Sequence, residues 1–387
     1  MSPSRIAAAL LGAAVFIGAP VAAIGLPDLA TFRDPVDGRL DASRWLLDHK
    51  GALPVPILIT EPALGYGAGV GLLFFHRNPA TTPVAESPDG VRRFEPPDIT
   101  GGAAFGTENG SKGGGIGHLG FSEGRRWRYA AGAAYGSLNL AWYGLPGLGE
   151  APQSNGLDFN IEAKVAVADV RRRFGDTQWW AGLRYVGANT QTQFALRTPA
   201  EIPQRQFDAT ISGLGLVAEY DGRDNIFTPN SGLRAYLSAM KFDGALGSDH
   251  DFSRFRLGLN AYLPAGNSVV VGVRADAQSV DGDVPFYARP FIELRGIPAM
   301  RYQGDRTALV EIEGRWNLDG RWSLVGFAGA GRAADSSGSI GGAPTRVTKG
   351  VGFRYLLARA LGMRAGVDVA RGPEENAFYI VVGSSWR

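Results

Sequence analysis

From about residue 54 to the end of the chain, apolar and polar residues alternate with a period of two, in segments of roughly ten residues separated by polar or glycine-rich turns. Residues 254–263 set Phe255, Leu257, Leu259, Ala261 and Leu263 against Arg254, Arg256, Gly258, Asn260 and Tyr262. Residues 268–278 set Val269, Val271, Val273, Ala275 and Ala277 against a row holding Arg274, Asp276 and Gln278. Residues 309–318 set Val310, Ile312, Trp316 and Leu318 against Glu311, Glu313, Arg315 and Asn317, and residues 158–167 set Phe159, Ile161, Ala163, Val165 and Val167 against Asp158, Asn160, Glu162 and Lys164. A soluble sandwich also alternates, but it rarely carries charge on strand after strand. In a transmembrane barrel the apolar face meets lipid and the charged face lines the lumen, where arginines pair with carboxylates. The fold class expected is therefore all-β, a transmembrane antiparallel barrel.

Counting back from the C-terminus, the pattern predicts strands near 377–387, 361–372, 345–359, 321–334, 305–319, 268–282, 250–264, 231–243, 206–222, 177–195, 156–172, 126–143, 111–122, 98–109 and 64–77. A short strand at 54–60 makes the total sixteen, the even number such barrels favour. Glu61-Pro62 and Gly65 supply turn chemistry between the first two strands. Aromatic residues near strand ends, Trp127, Tyr129, Trp179, Trp322 and Trp386 among them, fit two interfacial girdles.

Ahead of the barrel, residues 1–23 read as a signal peptide. Arg5 is the positive end, 6–18 an apolar run too short to span as a helix, and Val21-Ala22-Ala23 a small-residue exit. Residues 24–52 are expected to be a periplasmic tether, with Asp41 as N-cap of a short helix that carries Trp45, Leu46 and Leu47 and stops at Gly51. Residues 53–387 are assigned to the barrel. The 55 glycines in 387 residues exceed the usual share of about 7%. Zero cysteines exclude a disulfide framework, a lipoprotein anchor and a thiolate nucleophile or metal site. A net charge of +2, with no basic block beyond Arg171-Arg172-Arg173, implies no nucleic-acid partner.

Three stretches resemble the BamA/TamA superfamily of outer-membrane assembly factors and two-partner secretion transporters, in its C-terminal surface-antigen barrel. YDGRDNIFTPNSG (220–232) is similar to that family's periplasmic turn between the eighth and ninth strands; its turn formers are Asp221, Arg223, Asp224, Asn225, Pro229 and Gly232. ELRGI (293–297), inside a long connection from about 283 to 304, resembles the Arg-Gly motif of a loop that folds back into the lumen. The resemblance makes Arg295 and Gly296 the motif, with Glu311 and Glu313 as the loop-to-wall partners. FYIVVGSSWR (378–387) resembles the terminal strand read by insertion machinery, with Phe378, Ile380, Val382 and Trp386 as the outward row and Gly383 on the inner row. Two departures are visible. About thirty residues hold no POTRA domain, and Gly329 stands where the family tends to place an aspartate, which implies a simpler arginine clamp.

The resemblance implies location in the cell outer membrane and a part in protein insertion, translocation or lipid handling, with the Arg-Gly loop plugging the lumen. The partners implied are outer-membrane lipid, the barrel assembly machinery for the chain's own insertion, and unfolded outer-membrane protein clients or a periplasmic partner. No cofactor or metal is expected. The histidines His49, His76, His118 and His250 form no catalytic spacing, and His118 is expected to face inward, so the chain is expected not to be an enzyme. The alternatives are a diffusion channel for small anions lined by Arg184, Arg254, Arg256, Arg274 and Arg315, and a passive surface antigen.

Overall fold

The computed structural model describes residues 29–48, 52–76, 84–86, 92–94, 98–143, 156–194 and 206–386. The signal segment, His49 and Arg387 lie outside the described residues. A short helix, α1 (Ser43–Asp48), precedes β1 (Ala52–Ile59) and β2 (Gly67–Phe75). A two-stranded hairpin of β3 (Val84–Glu86) and β4 (Arg92–Phe94) stands apart from the main sheet. Then follow β5 (Ile99–Thr107), β6 (Lys112–Phe121), β7 (Trp127–Trp142), β8 (Leu157–Arg173), β9 (Trp179–Phe194), β10 (Gln206–Asp221) and β11 (Gly232–Phe242). The chain continues through β12 (Phe252–Ala265), β13 (Val269–Gly282), β14 (Arg306–Asn317), β15 (Trp322–Ala334), β16 (Arg346–Ala358), β17 (Met363–Arg371) and β18 (Asn376–Val382).

Apart from β3 and β4, every strand joins one sixteen-stranded antiparallel sheet in sequence order, a nearly closed barrel. All sixteen predicted strands are present, each within a few residues of its predicted bounds except the last. That strand was expected to run to the terminus and ends at Val382. Gly383 explains the stop: its φ of 79° turns the chain out of the extended region, a conformation that suits glycine. β1 and β18 form the two edges of the sheet and share no ladder among the described residues.

Most of the outer wall is the apolar belt that the alternation predicts. Leu257, Leu263, Ile312, Trp316, Val351 and Val369 are each half exposed or more, while Arg256, Asp276, Glu311 and Asp368 on the alternate positions face inward. One segment reverses the prediction. In the first half of β8, Phe159, Ile161 and Ala163 point into the barrel; Phe159, only 2% exposed, and Ile161 pack with Leu138, Leu140 and Phe194 against Phe291, Ala299 and Met300. Asp158 and Lys164 are the exposed row.

Strand length accounts for the reversal. β7 to β10 run 16 or 17 residues, against the roughly 9–11 that cross a bilayer, so their ends project past the apolar belt with water outside and a packed core within. Alternation marks two faces without saying which one is inside. His118 is corrected on the same ground: it shares the outward side with Ile116 and stacks on Tyr129, its Nδ1 hydrogen-bonded to Thr100. With no native cysteine, single replacements report each face. Glu162→Cys in lipid vesicles should label with a membrane-impermeant maleimide and Ile161→Cys should resist. Labelling of Ile161→Cys alone would contradict the reversal.

Candidate functional site

The 283–305 connection between β13 and β14 folds back among the wall side chains. Phe291 and Gln303 form an isolated bridge, and Ile292 N–H donates to Tyr302 C=O, so 290–304 is a small hairpin with Arg295 and Gly296 in its turn. A guanidinium taken out of water needs charge-matched acceptors to offset its desolvation. Arg295 finds them on two strands. Its Nε donates to Glu311 Oε1 at 2.6 Å, Nη2 lies 2.8 Å from Glu313 Oε2, and Nη1 donates to Asp368 Oδ2 at 2.7 Å. The guanidinium carbon also sits 3.5 Å from the ring centroid of Phe327 on β15.

Glu311 and Glu313 are thus where the resemblance placed them, but the simpler clamp expected from Gly329 is corrected. The missing acid is supplied by Asp368 on β17, which Arg354 on β16 also grips at 2.5 and 2.9 Å. Gly329 has its own use: a Cβ there would stand 2.8 Å from Leu294 of the connection. Gly296, at φ 90°, donates to the Tyr379 hydroxyl and presses on Gly372, where a Cβ would meet the backbone nitrogen at 2.8 Å. Glu61 accepts from Ala299 N–H, and Arg301 pairs with Glu374 at 2.6 Å, which ties the hairpin to the β1–β2 and β17–β18 connections as well.

From the opposite end of the barrel two further segments reach inward. Phe378, Ile380 and Val382 form the outward row as predicted, but Trp386 is corrected: beyond Gly383 the chain enters the lumen and Trp386 is 3% exposed. Its indole Nε1 donates to Glu311 Oε2 at 3.2 Å, and its ring packs at a tilt against Tyr262 and over Gly272, where a Cβ would lie 2.7 Å from the indole. Gly383 itself is the kink, with its N–H bonded to Arg364 C=O. Ser385 Oγ accepts from both Arg295 and Arg354. The tail and the hairpin therefore meet on one set of side chains.

The turn that joins the eighth and ninth barrel strands, 222–231, is built by its own polar residues. Asp224 Oδ1 accepts from Asn230 and Ser231 N–H, Asn225 Oδ1 from Phe227 and Thr228 N–H, and Arg223 pairs with Asp221 at 2.7 Å. Asn225 Nδ2 donates to Leu361 C=O, and the fully buried Pro229 offers its carbonyl to Arg315. Gly232, at φ 100°, passes so close to Gly222 C=O that a Cβ would stand 2.3 Å away. Of the other lumen arginines, Arg184 pairs with Asp169 and Arg256 with Asp276, and Arg274 donates to Glu293 C=O. Glu219 gathers Arg128, Arg171 and Arg234. Arg254 and Arg315 have no carboxylate within 4.0 Å among the described residues.

Sequence reasoning missed how the segment 29–48 is fastened. Arg321, in the β14–β15 turn, is 0% exposed, and its guanidinium is shared by Asp34, Asp37 at 2.7 Å and Asp41 at 2.7 Å. Arg359, in the β16–β17 turn, adds bonds to Asp34 and Asp37. Backbone contacts reinforce them: Ala42 N–H donates to Leu357 C=O at 2.7 Å, and Ala360 N–H to Ser43 Oγ at 3.0 Å. Asp41, expected as the N-cap, stands one residue ahead of it: the helix starts at Ser43, Ala42 C=O accepts from Leu46 N–H, and Asp41 accepts from Ser43 N–H at 2.7 Å while its second oxygen serves Arg321. The aspartates at 34, 37 and 41, in a stretch taken for a tether, were the available signal.

Acidity follows from these contacts. The Arg321 hydrogen bond holds the Asp37 carboxyl far below its ordinary value. Backbone N–H bonds from Trp322 and Arg321, with Arg39, hold Asp319 at about 2. Carboxyls depressed by folding contribute stability that is complete above the unfolded value near 4 and is lost only as the pH falls toward 2. The 29–48 segment, a strap across the β14–β15 and β16–β17 turns, should therefore stay docked from pH 8 to about 4. Arg321→Ala, which leaves Asp34 and Asp37 with Arg359 alone and takes the guanidinium from Asp41, should make the bonds after Arg33 and Arg39 sensitive to trypsin at pH 8. Equal resistance in both proteins would show that the backbone contacts suffice.

Residues 153–386 match the Omp85 superfamily domain. The chain belongs to the Omp85 superfamily. Solved Omp85-like barrels align over most of it at 10% identity, which is likeness of fold. BamA from Haemophilus ducreyi lacking POTRA domains 1-3 aligns with a TM-score of 0.59, over 87% of this chain and 70% of that one. CdiB from Acinetobacter baumannii aligns at 0.53, over 86% and 59%, and CdiB from Escherichia coli at 0.55, over 85% and 62%. The chain thus spans less than two thirds of either CdiB. No curated protein matches it.

Proposed function

We propose that this Omp85 barrel resides in the outer membrane, is placed there by barrel-insertion machinery, and helps other proteins insert into or cross that membrane without chemistry of its own. The observation that carries the reading is the seam. β1 and β18 are eight and seven residues long and share no ladder among the described residues; a Tyr66–Phe378 ring contact at 5.2 Å and a 3.4 Å bond from Ile380 N–H to Thr60 Oγ1 link the two edges. An unpaired edge in lipid is costly unless another strand completes it, so the seam suits strand exchange with an unfolded outer-membrane protein. In this reading the 290–304 hairpin plugs the lumen, and the strap holds the periplasmic rim.

A disulfide across the seam tests this. Vesicles holding the protein should speed folding of a urea-unfolded outer-membrane barrel several-fold. Oxidised Thr60→Cys/Ile380→Cys should lose that effect and regain it on reduction. Unchanged acceleration in the oxidised protein would contradict the reading.

A diffusion channel for small anions is the second reading, favoured by the lumen arginines Arg254 and Arg315, which have no carboxylate within 4.0 Å among the described residues. Single-channel conductance separates the two. A plugged barrel should give low, flickering currents that grow large in Arg295→Ala, whereas a channel should give a large steady current in both.

A further inference from the structure

Successive residues of a strand turn their N–H and C=O groups to opposite sides, so in an edge strand every second residue faces the free edge. In β1 the even-numbered residues do so. The Val55 carbonyl lies 3.6 Å from where Gly71, its register partner on β2, would carry a Cβ. Gly69, which is opposite Ile57 on one side and Phe105 on the other, crowds the carbonyl of Ala104 rather than that of Phe105. That is the geometry of a non-hydrogen-bonded pair with β5, so the polar groups of Gly69 turn to Ile57. Odd residues of β1 therefore serve β2, and Ala52, Pro54, Pro56 and Leu58 face the seam.

Proline has no N–H. The free edge of β1 thus lacks two consecutive ladder donors in the middle of an eight-residue strand. The facing edge is different. Ile380 turns its N–H to Thr60 across the seam, and by alternation Asn376, Phe378 and Val382 turn the same way, each with an N–H to give. An acceptor opposite Pro54 or Pro56 would stay unpaired in lipid, where no water replaces the missing bond.

We propose that β18 alone is the strand-accepting edge of this barrel, and that Pro54 and Pro56 keep β1 both from zipping to β18 and from taking up an incoming strand. The partner is an extended, amphipathic segment of a membrane β-strand protein. It would run antiparallel to β18, as every neighbour in this sheet does, with its apolar row continuing Phe378, Ile380 and Val382 toward lipid and small or polar residues beside Ala377 and Tyr379. This rests on the strand-handling function proposed above and specifies which edge performs it.

The absence of native cysteine makes the test clean. The full-length protein in lipid vesicles carries either Ile380→Cys or Leu58→Cys and is offered a synthetic alternating amphipathic peptide with one cysteine under mild oxidation. Capture at Ile380→Cys should exceed capture at Leu58→Cys by about tenfold, and should fall by a similar factor when Pro54→Thr and Pro56→Thr restore the donors of β1 and let the seam close. Equal capture at both edges, or preference for Leu58→Cys, would overturn the proposal. Amide exchange without peptide separates the remaining case. If neither edge captures peptide but the two threonines slow exchange of the Phe378, Ile380 and Val382 amides, the proline block stands while the partner and the strand-handling function fall. If exchange is also unchanged, the block falls with them.

Discussion

A guanidinium inside a barrel cannot stand alone, and much of this molecule's interior is arranged around that constraint. Arg295 enters the lumen on a hairpin and is met by Glu311, Glu313 and Asp368, with Phe327 beneath it. Removing one partner from such a buried cluster typically costs about 3–5 kcal/mol, far more than breaking an exposed, solvent-screened pair such as Arg39 with Asp319. The cluster spans β14 to β17, and through Trp386 and Ser385 it also holds the C-terminal tail. Loop, wall and terminus are therefore fixed by the same few carboxylates.

Around this centre the two ends of the barrel are fastened differently. At one end the hairpin is gripped by Glu61 and Glu374 and packed on the apolar inner face of the long strands β7 to β9. At the other, the 222–231 turn reaches Arg315, and the 29–48 segment is bound to the β14–β17 turns through Arg321. The half of the sheet from β14 to β17 carries most of these ties, whereas the β1–β18 seam carries almost none. That contrast is what the proposed strand exchange requires: a seam with few ties beside a braced wall.

The sixteen strands were legible in the sequence because alternation is a local property of each segment. What alternation could not supply was the absolute sense of a face: Phe159 and Ile161 read as lipid-facing until the length of β8 showed them above the belt, and His118 erred for the same reason. Arg295 and its glutamates were legible through a resemblance, but Asp368 lies 73 residues from Arg295 and two strands beyond the place the family pattern suggested. Trp386 was misassigned because the period-2 count was carried through Gly383, whose positive φ ends the strand. The strap was missed because pairing of Asp34, Asp37 and Asp41 with Arg321 joins residues 280 or more positions apart, which no local pattern encodes.

If Arg295 and the wall carboxylates hold the hairpin inside the barrel as one unit, their contributions to stability are coupled. The most direct measurement is a double-mutant cycle on urea unfolding in lipid vesicles, with Arg295→Ala, Asp368→Asn and the two combined. Coupling of about 1 kcal/mol or more is predicted, the double variant being less destabilised than the sum of the single ones. Additivity to within about 0.3 kcal/mol would contradict the account, because it would mean that the arginine and the aspartate act independently.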